Sequence, residues 1–222
     1  LAAGCSSGSS SSSAPSAASP AAPAASQAAG SEAAGGDASL TTVTPGKFTI
    51  GMECAYAPFN WTQLEKTDTA VDIGSASYAD GYDVVMGKYI AEQLGLELVV
   101  KPIAWEGLEP AVNNGEIDAI IAMTATPERR ENVDFTDPYY ESKMVVIVRK
   151  DSDLTNITSI QDLSGRKVQG QLNTLYDTVI DQIEGVDHVT PLATYPLMVV
   201  ALQSGEVDAL TAELPVAAGV VA

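Results

Sequence analysis

The segment Ile117–Tyr140, IDAIIAMTATPERRENVDFTDPYY, gathers the residue types best suited to gripping a small anion. Its apolar run Ile117–Met123 has the length of a buried parallel strand. The run stops at Thr124, and Thr126-Pro127 then predicts a helix start, with Thr as N-cap and Pro as first helical residue. Arg129 falls in that first turn, where a cation opposes the helix dipole. Backbone N–H groups, hydroxyls and a guanidinium thus meet at the carboxyl end of a strand, where open α/β sheets bind ligands. Such a set suits a carboxylate, which Arg can hold through two parallel hydrogen bonds. Local spacing equally allows a surface Arg paired with Glu128 or Glu131.

A complementary pole lies further along. Gly115-Glu116-Ile117-Asp118-Ala119 recurs as Gly205-Glu206-Val207-Asp208-Ala209, each copy between an amphipathic helix and a strand. Two lobes built alike would place Thr124 and Arg129 on one wall of a cleft and Glu213 on the other. Thr174, with Asp177 three residues on, reads as a capping box whose helix N-terminus offers further N–H groups. Tyr56 and Trp105 stand in nearby strand-to-helix loops. Cation, anion and aromatic rings together describe a receptor for a zwitterion. Its carboxylate would meet Arg129 and its ammonium Glu213. Charge-assisted hydrogen bonds contribute about 1.5–3 kcal/mol each, and a few of them, less the ordering cost, give micromolar binding at about −8 kcal/mol.

The elements that must position these groups alternate. Strands are expected at Lys47–Met52, Leu96–Val100, Ile117–Met123, Met144–Val148, Arg166–Gly170 and Val207–Thr211. Helices are expected from an Asp83 N-cap to Leu94 with Val85, Met86, Tyr89 and Ile90 as the apolar face, at Trp105–Asn114, and at Tyr195–Gln203. Thr62–Ser77 reads as a polar loop insertion. Alternation of this kind predicts parallel α/β layers.

Composition narrows the function. Residues 6–46 are almost wholly Ser, Ala, Gly, Pro and Thr, which predicts a disordered tether; as a flexible coil it would average roughly 35 Å end to end. A net charge of −18 excludes a nucleic-acid partner, which needs clustered Lys and Arg. Cys5, Cys54 and the lone His188 offer no cluster with metal-ligand spacing, so neither metal nor cofactor is expected. Phe59 reads as core, and Asp134 and Asp137 as turn and cap residues. The start, LAAGC, resembles the lipobox of bacterial lipoproteins. That resemblance implies a lipid on Cys5, with 1–5 as the lipobox remnant and 6–46 as the tether. Stable anchoring takes two or more acyl chains, as on a diacylated cysteine.

The segments AYAPFNW, GYDVVMGKYIAEQLG, WEGLEPAVNNGEIDAI, MTATPERRENVDFTDPYY and SGEVDALTAELPVA, in this order, resemble the family 3 solute-binding proteins, the extracellular receptors of polar amino-acid ABC importers. The resemblance runs from about Phe48 to Ala222. It implies a two-lobed, periplasmic-binding-protein-like (type II) α/β fold that closes on one amino acid. The lobes would be 47–145 and 146–222, stopping short of the family's usual C-terminal elements. It also implies an ABC permease partner, a membrane attachment through Cys5 outside the cytoplasm, and a monomer. Position by position, Arg129 matches the carboxylate-binding arginine, and Thr124 with the Ala122 backbone matches contacts to carboxylate and ammonium. Tyr56 and Trp105 match positions packing on the ligand side chain, and Glu53 an acidic position facing it. Thr174 matches a second-lobe donor to the carboxylate, and Glu213 the acid holding the ammonium. The family usually has Asp where Glu213 stands, and Gly-Thr-Thr where this chain has Leu172-Asn173-Thr174. An enzyme on the same scaffold is the rival reading, with Glu53 and Glu213 as an acid/base pair, since relatives of this fold include dehydratases. A sensing domain of a signalling receptor would require a transmembrane helix, and no apolar run is long enough.

Overall fold

A strand beginning at Lys47 is the first regular element of the computed structural model, which describes residues 40–221. This strand, β1 (Lys47–Met52), is followed by β2 (Ala55–Tyr56), β3 (Asn60–Gln63), β4 (Val71–Gly74), β5 (Ser77–Asp80) and α1 (Tyr82–Leu94). Next come β6 (Glu97–Pro102), α2 (Leu108–Asn113) and β7 (Ala119–Ile120). The second half holds β8 (Met144–Val148), β9 (Lys167–Gln169), α3 (Leu175–Thr178), β10 (Asp187–His188), α4 (Tyr195–Ser204), β11 (Ala209–Glu213) and α5 (Leu214–Val221). Cys5 and the 6–46 tether, except for its last residues from Leu40, lie outside the described residues.

The architecture is α/β and two-lobed. One sheet has the order β6-β1-β7, all parallel; the other has β10-β9-β11-β8, parallel except for β8, which runs antiparallel to β11. Ile50, Met52, Val84, Val100 and Ile121 form the core around the first sheet. Leu154, Leu163, Val168, Ile180, Ile183 and Ala209 fill one side of the second. Phe59, 7% exposed, reaches from the first half into the cluster of Ile147, Met198, Leu202, Leu210 and Val216. It is a core residue, as its sequence setting suggests.

The repeated pentapeptide is a structural repeat. Gly115 and Gly205 end α2 and α4 with φ of +70° and +81°, a conformation that favours glycine. The next apolar residue, Ile117 or Val207, is buried, at 1% and 0% exposed. Asp118 N then donates to Thr49 O at 2.7 Å and Asp208 N to Lys167 O at 2.8 Å. In return the carboxylates accept from Thr49 N at 2.7 Å and from Lys167 N at 3.0 Å. Each Asp thus clamps its strand to the neighbouring parallel strand of its own sheet, β1 or β9.

Four sequence expectations change. Thr62–Ser77 is not a plain loop: it forms much of an antiparallel sheet, order β2-β3-β5-β4, whose Val71 and Ile73 pack on the first core. Its hairpin turns at Ser75 and Ala76, both with positive φ, and so lacks the Asn-Gly signal of such turns. The N-cap of helix α1 is Gly81, where a Cβ would lie 2.3 Å from Phe59 O, and Asp83 falls inside the first turn. It buries Val84, Gly87 and Ala91, while Val85 and Tyr89 are exposed; two small residues on the buried line hide it from a scan for large apolar side chains. Strand β7 pairs only over Ala119–Ile120, since Ala122 at φ +78° turns the chain away. Finally, Thr126 caps no helix: a turn at 127–128 leads only into a 3-10 turn, Arg129–Glu131, whose N-cap is Glu128.

Candidate functional site

The carboxyl ends of five strands converge on one cavity. Glu53 follows β1, Trp105 follows β6, Ala122, Thr124 and Arg129 follow β7, Gln171 and Thr174 follow β9, and Glu213 closes β11. All eight expected ligand-binding residues line this cavity: Glu53, Tyr56, Trp105, Ala122, Thr124, Arg129, Thr174 and Glu213. Asn60, Leu108, Ile121, Gln171, Leu175 and Tyr176 complete its walls.

Arg129 is half-buried and lines this space, and the surface pairing with Glu128 or Glu131 is not made. Its backbone N–H donates to Thr126 Oγ1 at 3.3 Å. Nη1 donates to Thr124 O at 2.8 Å and Nη2 to Asn173 O at 3.2 Å. The guanidinium lies 5.2 Å over the Trp105 ring, a cation–π contact. Burial pushes its pKa down, against Glu109 and Glu128, which push it up. No carboxylate lies within ion-pair distance of it among the described residues. A guanidinium has five N–H bonds, so the two carbonyl contacts leave enough donors to grip a carboxylate.

The acidic side is equally free. Glu213 Oε1 accepts from Tyr56 Oη at 3.4 Å, a contact between the two halves of the chain. Glu53 accepts from Gln171 Nε2, and burial raises its pKa while the Gln171 bond lowers it and Glu106 raises it. Neither glutamate has a cationic partner among the described residues. Tyr56 stacks on Phe59 at 5.8 Å and meets Tyr195 edge-on at 5.7 Å, and burial raises its phenol pKa.

Two expected contacts take a different form. Thr174 is 8% exposed and donates through Oγ1 to Gln171 O at 2.7 Å, so the capping box with Asp177 is not made. The Asp177 carboxylate instead bonds His188 Nε2 at 2.8 Å. The Ala122 N–H donates to Tyr139 Oη at 2.9 Å. Sequence reading missed Gln171, Tyr176 and the Asn173 carbonyl. Gln171 carried a usable signal, a polar residue just past the carboxyl end of a strand, the same signal that marks Thr124. Asn173 carried none, because its role rests on a backbone carbonyl turned by a φ of +59°.

Residues 48–192 match the model of the bacterial extracellular solute-binding proteins, family 3. A probable histidine-binding protein of Campylobacter jejuni is 34% identical over 174 residues, covering 78% of this chain but 62% of that protein's length. The arginine-bound form of a truncated ArgBP from T. maritima superposes with a TM-score of 0.68 at 30% identity, covering 79% of this chain and 77% of that one. An ancestral amino acid-binding protein, AncCDT-1, a precursor of cyclohexadienyl dehydratase, superposes with a TM-score of 0.69 at 28% identity, covering 79% and 74%.

Proposed function

This chain belongs to the bacterial extracellular solute-binding proteins, family 3, and from that premise we propose that it is a receptor for an α-amino acid with a polar or cationic side chain, held between its lobes. One observation carries the reading: a half-buried guanidinium and two glutamates share a cavity, and among the described residues none of the three has an ionic partner of its own. Such a site is electrically incomplete in the way a zwitterion completes it. Arg129 takes the ligand carboxylate, helped by Thr124 and by Thr174, whose hydroxyl turns from Gln171 O to do so. Glu213 takes the α-ammonium, with the Ala122 backbone beside it. Tyr56 and Trp105 pack on the side chain, and Glu53 faces its end. The names of its relatives support an amino acid as the ligand.

The wider setting is part of the proposal. The receptor hands its ligand to an ABC permease, works outside the cytoplasm as a monomer, and is tied to the membrane by a lipid on Cys5 through the 6–46 tether. Residues 47–145 and 146–222 are its two lobes. Among the described residues no helix is long and apolar enough to cross a membrane.

Thermal-shift screening of the standard amino acids, followed by calorimetry, tests the reading directly. Arg129→Ala is expected to cost about 3–5 kcal/mol of affinity, because the ligand carboxylate would be left buried and unpaired. A loss below about tenfold, or ~1.4 kcal/mol, shows that Arg129 is not the anchor. The ancestry of AncCDT-1 gives the enzyme reading its one specific support. Mass balance separates the two: a receptor returns its amino acid unchanged, and an enzyme consumes it.

A further inference from the structure

Gln171 is 5% exposed and lies just beyond β9. Its carboxamide nitrogen stands 3.0 Å from Ala193 O and 3.1 Å from both Oε1 and Oε2 of Glu53. A carbonyl or ionised carboxylate oxygen only accepts. Reversing the amide would set its oxygen against three acceptors, so the neighbours fix its orientation. Two N–H bonds therefore serve three oxygens: one goes to Ala193 O and the other is shared across the carboxylate. Glu53 stands at the carboxyl end of β1 and Gln171 beyond that of β9, so the bridge crosses the cleft.

Hydrogen bonds of this kind favour the charged form of a carboxylate, opposing the burial that raises the Glu53 pKa overall. The cavity then holds two glutamates, Glu53 and Glu213, against one cationic side chain, Arg129. Among the described residues no Lys, Arg or His nitrogen lies within 4.0 Å of either glutamate. A ligand with one carboxylate and one ammonium would satisfy Arg129 and one glutamate. Whichever glutamate remained would be a partly buried charge with no cationic partner, which is costly. A second cationic group on the ligand removes that cost.

We infer that Gln171 is a specificity-determining residue. By bridging the halves onto Glu53 it holds that carboxylate as an acceptor, so the site selects amino acids with a guanidinium or ammonium side chain over neutral ones of the same shape. This rests on the amino-acid reading above and narrows its ligand class.

The test is calorimetry on the full chain with L-arginine and L-citrulline, which differ chiefly in the charge at the end of the side chain. The native protein is expected to favour arginine by about 10–100-fold, the range of one charge-assisted hydrogen bond. Gln171→Leu is expected to narrow that preference by about tenfold, and Glu53→Gln to abolish it. Should Gln171→Leu not unfold cooperatively on heating, the native ratio and Glu53→Gln decide. Equal affinity for the two ligands in the native protein overturns the inference and leaves the amino-acid receptor standing. A folded Gln171→Leu variant that keeps the native ratio overturns it as well. Absence of binding by any standard amino acid overturns the receptor reading and this inference with it.

Discussion

Asp83 sits in the first turn of α1, 1% exposed, and burial pushes its carboxyl pKa up to about 6 from 3.8. Asn60 Nδ2 at 2.8 Å and Tyr139 Oη at 3.3 Å donate to it and offset part of that rise. The fold therefore prefers the neutral acid. With the folded pKa above the unfolded one, the stability this group contributes is complete below about pH 4 and is lost as pH rises through about 6. Two pKa units correspond to at most ~3 kcal/mol. Asp83→Asn keeps the geometry: one amide atom can accept from Asn60 and the other can donate to the Tyr139 oxygen. Denaturant titrations should show the variant gaining on the native protein between pH 4 and pH 7, by up to ~3 kcal/mol. A difference constant across that range would mean Asp83 keeps an ordinary carboxyl. Nearby, Cys54 is a buried free thiol whose pKa burial pushes up to about 12, so it stays protonated and unreactive at neutral pH.

Among elements, the twin clamps make a sharp comparison. Asp118 accepts from the backbone of Thr49 at 2.7 Å and of Val43 at 2.6 Å, whereas Asp208 accepts from Lys167 alone at 3.0 Å and has Arg149 Nη2 3.8 Å away. Hydrogen bonds to charged groups are worth about 1.5–3 kcal/mol. Asp118→Ala and Asp208→Ala should each lower the denaturant midpoint by about that much in free energy, Asp118→Ala by more, with the slope unchanged. If either variant matched the native midpoint, the repeat would not be a clamp. A second element-level link joins α3 to β10. His188 lies between Asp181 at 2.8 Å and Asp177 at 2.8 Å. Burial lowers its pKa, but the two carboxylates outweigh burial and raise it above 6.5. Its stabilisation is thus complete below pH 6.5 and fades as pH climbs through the raised value. The protein has a single histidine, so its titration in a proton NMR spectrum is unambiguous, and a midpoint at or below 6.5 would contradict this. These elements also explain how much the sequence revealed. Strand ends and helix stops are written in apolar runs and glycines, so the repeat, the parallel layers and the placing of Thr124, Arg129, Thr174 and Glu213 were legible, while Glu53 and Ala122 followed only from the family resemblance. The β4–β5 hairpin was not, because Ser75 and Ala76 adopt positive φ without the residues that usually announce it. The α1 face was misread for the converse reason, since glycine and alanine at 87 and 91 let the helix approach β1 closely. The position of Gln171 past a strand end was readable, but its contact with Glu53 was not, because that partner is 118 residues away and no local spacing encodes it.

On the scale of the whole molecule, the two halves are held together across the cavity by few polar contacts. Gln171 reaches Glu53, Tyr56 reaches Glu213, and the Asn173 carbonyl accepts from both Trp105 Nε1 at 3.1 Å and Arg129 Nη2 at 3.2 Å. Only the Trp105 bond is neutral on both sides, worth about 0.5–1.5 kcal/mol net, while the other three involve a charged group. Losing the neutral one alone is enough to shift the balance between an open and a closed conformation a few kcal/mol apart. A ligand that binds only the closed state pays the cost of closing, so its apparent affinity scales with the closed fraction. Trp105→Phe removes the N–H while leaving an aromatic ring beneath the Arg129 guanidinium, which isolates the closing contribution from the cation–π contact. The variant should lose about 2–10-fold in affinity for whichever amino acid the native protein binds. Without ligand, its radius of gyration in small-angle X-ray scattering should exceed that of the native protein, and saturating ligand should bring the two together. Weaker binding with identical scattering in both states would assign Trp105 to ligand contact alone, and the Asn173 carbonyl would then have no part in closure.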